Sequence, residues 1–93
     1  MSPSQTRAGD GASDYRTLGR ALRTLRLRAG LTQEEMAAKV DIGATYVSQV
    51  ENGHRGVRWH TLLRLLRALD ADLRQLADAV DEAEKSDPSA KAP

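Results

Sequence analysis

The stretch Leu31-Thr32-Gln33-Glu34-Glu35-Met36-Ala37-Ala38-Lys39-Val40, followed by Asp41-Ile42-Gly43 and then Ala44-Thr45-Tyr46-Val47-Ser48-Gln49-Val50-Glu51, decides the fold. Thr32 and Glu35 have the spacing of a capping box, in which the hydroxyl accepts from the third backbone N–H and the carboxylate reaches back to the cap. A helix therefore starts at Gln33. It runs through Met36, Ala37 and Val40 at helical spacing and ends where Asp41 and Gly43 break the pattern. Asp tolerates the left-handed backbone that such a turn needs better than most residues do. A second short helix, about 44–51, turns Val47 and Val50 inward and stops at Asn52-Gly53. Ala37 and Ala38 are small enough for the two helices to cross closely.

Outside this segment the apolar residues keep recurring at three and four. Leu18, Leu22, Leu25 and Ala29 mark a first helix with Gly30 as its stop. Trp59, Leu62, Leu63, Leu65, Leu66 and Leu69 mark a fourth, with an apolar arc wider than one contact face requires, and Leu73, Leu76 and Val80 mark a fifth that begins after Asp72 as cap. No run alternates strictly enough for a strand, so the expected fold is all-α with five helices. Residues 1–13 are rich in Ser, Gly and Gln, and residues 83–93 in Ala, Lys, Ser and Pro. Both read as disordered, leaving 14–82 as the folded domain.

With 93 residues there is room for one small domain, and with no cysteine there is no disulfide, no thiolate zinc site and no thiol nucleophile. His54 and His60 have no convergent partners, and no cluster of ligands suggests a metal. The expectation is a protein that is not an enzyme and has no cofactor. No apolar stretch approaches the ~20 residues that span a bilayer, and no signal peptide is visible. The expected compartment is the cytoplasm.

Fourteen Lys and Arg against thirteen Asp and Glu make the chain nearly neutral, but the charge is segregated. Between Asp14 and Leu69 stand ten bases and five acids; the seven acids that offset them lie between Asp70 and Asp87. The stretch 54–67 carries four arginines and no acid. This distribution predicts a basic body that meets phosphate and an acidic end that faces away from it.

Two short helices joined by a tight turn form a helix-turn-helix. Leu31 to Ala37, Ile42 to Ser48, Glu51-Asn52-Gly53 and Leu62 to Leu69 together resemble the Cro and phage-repressor, or xenobiotic-response-element, type of helix-turn-helix family over roughly Leu18 to Leu76. The resemblance implies a lambda-repressor-like domain that regulates transcription by laying its third helix in the major groove of double-stranded DNA. By that likeness Ala44, Thr45, Ser48 and Gln49 face base edges, where Gln suits adenine and Thr or Ala suits the thymine methyl. Gln33, at a helix N-terminus, and Tyr46, Asn52, Arg55 and Arg58 are the expected phosphate contacts, although Tyr46 could instead pack its ring on the second helix. Arg26 and Glu51 fall where the family pairs an arginine of helix one with a glutamate of helix three. Trp59 falls on a core leucine position and is expected in the core.

The chain departs from the family's pattern in having Asp41 for Gly, Gly43 for a Ser, Thr or Asp cap, and the short Ala44 and Thr45 where relatives carry Arg or Gln. Few direct contacts imply a preference for A·T-rich or deformable DNA. A homodimer on a palindromic operator is expected, with Leu66, Leu69, Leu73, Leu76 and Val80 either forming its interface or completing the monomer core. No small-molecule ligand and no membrane are expected. The acidic segment from Asp70 to Asp87 either engages a protein partner, as an antitoxin engages a toxin, or is a solvated face. Controller protein, antitoxin and phage-type repressor all remain open.

Overall fold

The computed structural model describes residues 8–86, with side chains from Tyr15 onward. Five helices follow one another: α1 (Ala8–Arg28), α2 (Gln33–Val40), α3 (Ala44–Glu51), α4 (Trp59–Ala68) and α5 (Leu73–Ser86), with no strand among the described residues. The core is a single cluster in which Leu22, Met36 and Leu65 are fully enclosed. Around it α1 packs on α3 and α5, and α2 packs on α3 and α4.

Local chemistry sets the boundaries. At α2 the capping box forms in both directions: Glu35 N–H donates to Thr32 Oγ1 at 3.0 Å and Thr32 N–H to Glu35 Oε1 at 2.9 Å. At α5 Asp72 and Gln75 repeat it, at 2.8 and 2.9 Å, so the Asp72 cap has a partner that the sequence reading had not assigned. The C-terminal ends of α1 to α4 share one device. A residue with positive φ (Gly30, Asp41, Gly53 or Asp70) is followed by an N–H that donates five residues back, Leu31 to Arg26, Ile42 to Ala37, His54 to Gln49 and Ala71 to Leu66. Asp41, at φ 59, thus adopts the left-handed conformation expected of it. Arg64 of the adjoining α4 also donates to the Val40 carbonyl, closing the α2 end.

Several expectations are corrected. Helix α1 begins at Ala8, inside the segment read as an arm, because extending a packed helix backward costs far less than nucleating one. Helix α5 continues past residue 82 to Ser86, since Ala83 prolongs the Leu76–Ala79 stripe and is buried; small alanines had been read as tail composition. Residues 1–7 and 87–93 lie outside the described residues. Leu66, Leu69 and Leu76 are buried in the core, so only Leu73, at 49% exposure, and the partly covered Val80 remain at the surface. Trp59 is 61% exposed, not core. It is the first residue of α4, and helical side chains lean toward the N-terminus, so its ring overhangs the end of the helix while Leu62 and Leu65 fill the core one turn later. Ala37 is buried as expected, but Ala38 is exposed.

The approach of α1 to the end of α3 depends on Gly19, where an added Cβ would lie 2.8 Å from the Glu51 carbonyl oxygen. Backbone cannot yield as a flexible side chain does. Gly19→Ala is therefore expected to cost about 1–3 kcal/mol, measured as the shift of the urea or thermal midpoint followed by circular dichroism.

Candidate nucleic-acid interface

The site is assembled on a buried ion pair. Arg26 of α1 grips Glu51, the last residue of α3, with two parallel bonds, Nε to Oε2 at 2.7 Å and Nη2 to Oε1 at 2.9 Å, and the two side chains are only 8% and 2% exposed. Arg26 Nη1 also donates to the Leu31 carbonyl at 2.7 Å, and Gln33 Nε2 donates to Glu51 Oε1 at 3.0 Å. Among the described residues no buried side-chain polar atom lacks a partner. The hydrogen bonds that Arg26 donates to Glu51 hold its pKa above the ordinary value, against the opposing effect of burial.

This cluster fixes the C-terminal end of α3 and therefore the helix face that looks outward. Val47, Val50 and Glu51 are buried; Thr45 is exposed, and Ala44, Ser48 and Gln49 are partly exposed, with Ala44 resting one side on the core. Gly43 caps α3 with extended backbone and no side-chain bond, leaving the first N–H groups of the helix without a side-chain acceptor. The face continues past the helix end, because Asn52 Nδ2 donates to Ser48 Oγ at 3.3 Å.

The expected phosphate contacts fall into two groups. Gln33 and Asn52 both adjoin Glu51, Gln33 bound to its carboxylate and Asn52 next to it in the chain. Tyr46, Arg55 and Arg58 line one open cleft. There the Arg55 guanidinium lies 4.7 Å from the centre of the Tyr46 ring while Nη1 donates to Gln49 Oε1 at 3.1 Å. Tyr46 is half-buried against the core as well, so its ring supports Arg55 from below. Arg58 is exposed at the N-cap of α4.

Residues 17–80 match the family model described as a helix-turn-helix domain. The chain belongs to the helix-turn-helix family of DNA-binding transcriptional regulators. It is similar to the control protein C.MunI of Mycoplasma sp, at 34% identity over 65 residues that make up 69% of this chain and 88% of that protein. The crystal structure of the restriction-modification controller protein C.AhdI from Aeromonas hydrophila matches with a TM-score of 0.65 and 39% identity, covering 69% of this chain and 97% of that one. The propionyl-CoA carboxylase regulator of Cereibacter sphaeroides is 36% identical over 64 residues, but the chain spans 14% of its length.

Within this helix-turn-helix family member, α2 and α3 are the two helices of the motif, and the three residues Asp41 to Gly43 are its turn. No periodicity in the sequence announces the stacking of Arg55 on Tyr46 or its bond to Gln49; the available signal was the stretch 54–67, which carries four arginines and no acid. The glutamine-to-glutamate bond was hidden for a different reason, since Gln33 already had a reading as a phosphate ligand. Among the described residues no helix is long and apolar enough to cross a membrane, and no group of His, Asp and Glu is arranged to hold a metal.

Removing one partner of the central pair strands a buried charge. Arg26→Met is expected to cost about 3–5 kcal/mol, enough to unfold a domain of this size at moderate temperature, whereas Arg26→Met with Glu51→Leu should recover most of the loss. Urea denaturation of both variants checks this. Because the Arg26 pKa is raised, its contribution is complete below the ordinary arginine value and is lost only as the pH climbs through the higher folded-state value. The Arg26 side of the pair thus adds no pH dependence in the neutral range.

Proposed function

We propose that the protein regulates transcription as a homodimer on a palindromic operator, each protomer laying α3 in the major groove. The observation that carries this reading is the composition of the α3 surface. An eight-residue helix buries two valines and a paired glutamate, presents Thr45, Ser48 and Gln49 outward, and is flanked by Gln33 on one side and Arg55 and Arg58 on the other. Gln49 and Thr45 read base edges, with Ala44 offering its methyl to a thymine and Ser48 bridging toward Asn52. Gln33, Asn52, Arg55 and Arg58 hold phosphates, with Tyr46 beneath Arg55.

Arg55 has a second task in this reading. By donating to Gln49 Oε1 it fixes which end of the amide is oxygen and where that oxygen points. One lone pair stays available for the adenine amino group, and the Nε2 hydrogens face away from Arg55. The residue that was expected only to add affinity thus also orients the reader.

The dimer rests on a smaller surface than the five leucine and valine positions first suggested. Leu63 and Leu73, with the edges of Leu66 and Ala71, line an apolar groove between α4 and α5 bordered by Arg67, Asp72 and Arg74. We assign the partner protomer to it, with Val80 at its margin, and two recognition helices ~34 Å apart follow from the half-site geometry. The near-complete coverage of C.AhdI supports the view that a body of this size suffices for regulation. Restriction-modification control is accordingly the favoured setting over an antitoxin role, and a cytoplasmic location follows from it. The acids Asp81 and Glu82 pair with Lys85 and Arg28 of the same chain at 3.2 and 3.0 Å, which leaves fewer of them for a toxin-like partner.

In selection from genomic fragments, a Thr45→Ala, Gln49→Ala variant is expected to lose the parental site preference while keeping weak binding to all DNA; retention of the parental preference removes readout from α3. Arg55→Ala should lower the slope of log K against log salt by about 0.9 per protomer and also relax discrimination at the base pair read by Gln49, whereas Arg58→Ala should lower the slope alone. In sedimentation at micromolar concentration the parent should be dimeric and Leu73→Glu monomeric; a parent that stays monomeric with and without operator defeats the dimer.

A further inference from the structure

A further basic surface lies on α1 and shares Asn52 with the first group of phosphate contacts. Arg16, Arg20 and Arg23 project from one side of α1 into a cleft of about 410 Å³ whose far wall is Asn52. Thr24 and Leu27 form its floor, and Leu27 is exposed there. Glu51 also borders the cleft, but its side chain is buried and both carboxylate oxygens already accept hydrogen bonds from Arg26, one of them from Gln33 as well. The local charge is therefore dominated by the three guanidinium groups.

Two close approaches hold the cleft in shape. Gly19 lets the α1 backbone meet the Val50 and Glu51 carbonyls. Gly53, at φ 77, leaves room for Arg16, whose Cα is 2.9 Å from where a Gly53 Cβ would stand. The Arg16 stem is thus pinned beside the Asn52-Gly53 turn, and Arg16 and Asn52 line the same cleft. Arg20 makes a long bond of 3.4 Å to Ser86 Oγ, whereas Arg16 and Arg23 have no acidic partner among the side chains described from Tyr15 onward. Since Asn52 also donates to Ser48, one polar surface runs from the α3 reading face through Asn52 into the cleft.

We propose that this cleft holds a backbone phosphate of the operator on the flank of the segment spanned by α3, clamped between Arg16 and Arg23 on one side and Asn52 on the other. The inference rests on the DNA-binding reading above and adds a phosphate to it. It assigns α1 a role in the footprint: Asn52 becomes a hinge shared by two contacts, and the operator is gripped beyond the bases that are read. Such a contact carries no sequence information, so it strengthens binding to specific and non-specific DNA alike.

The test uses the full chain with Arg16→Gln and Arg23→Gln combined, substitutions that keep the stems. The control is Arg28→Gln with Lys85→Gln, which removes the same charge from residues already in exposed ion pairs with Glu82 and Asp81. For an operator recovered by genomic selection, the salt slope of the test variant should fall by about 0.9 per protomer. Phosphate ethylation interference should vanish at one flanking position in each half-site. The control should retain both the parental slope and the interference pattern. If the test variant keeps the parental slope while Arg55→Ala lowers it, the cleft holds no phosphate and the reading of α3 stands. An equal fall in test and control reduces the effect to net charge and overturns the cleft. If the parent selects no DNA site at all, the DNA-binding reading fails and this inference falls with it.

Discussion

The position of every other functional side chain depends on the buried pair of Arg26 and Glu51. A guanidinium and a carboxylate taken out of water must recover their hydration from the protein, and here they do so with two mutual bonds, the Leu31 carbonyl and the Gln33 amide. Those partners come from α1, the α1–α2 turn, α2 and α3. An apolar contact of similar size would tolerate sliding and rotation, whereas a bidentate pair has one geometry. The angle at which α3 leaves the body is therefore set by a residue that never touches its outer face. The same cluster orients Gln33 at the start of α2, so one end of the motif and the other are adjusted together.

What was legible in the sequence was whatever the chain encodes locally. Thr32 with Glu35, Asp72 as a cap and the glycine after α1 each act within a few residues, and helix existence followed from them. Asp41 was legible for the same reason, because the need for a left-handed residue arises from the turn itself. The Arg26–Glu51 pair was reached through the family resemblance, not through spacing, since 25 residues separate its members. Tertiary choices were read less well. Whether a leucine on a wide apolar arc completes the core or faces a partner depends on where α5 lies, and α5 lies against α1, where Leu76, Ala79 and Ala83 close over the core. Trp59 misled for a related reason: its type argued for burial, but the end of a helix offers no neighbouring turn to bury it.

The candidate site follows the same division. The outward positions of α3 could be listed from helical periodicity once Val47 and Val50 were assigned inward. The contact of Arg55 with both Tyr46 and Gln49 could not, because it depends on how the loop 52–58 folds back over α3. That loop carries no apolar period, and its course is fixed by Gly53 at one end and by Val57 packing on the core at the other.

The charge distribution gains a meaning that the count alone did not supply. The acids of the C-terminal segment were expected at the end of the molecule remote from phosphate, yet α5 runs alongside α1 and Glu82 pairs with Arg28. The acidic helix thus lies beside the most arginine-rich one, and it matters which arginines it reaches. Arg28 pairs with Glu82 toward α5, and Arg20 reaches Ser86 while still lining the cleft. Arg16 and Arg23 make no such contact with α5 and border Asn52 at the end of α3. Near neutrality overall is then compatible with a strongly basic strip, because neutralisation is confined to one side of α1. A helix that is basic all round would attract DNA in any orientation, whereas one screened along its α5 side favours approach with α3 leading. In the DNA-binding reading proposed above, the acids of α5 do not oppose nucleic-acid binding; they help to orient it.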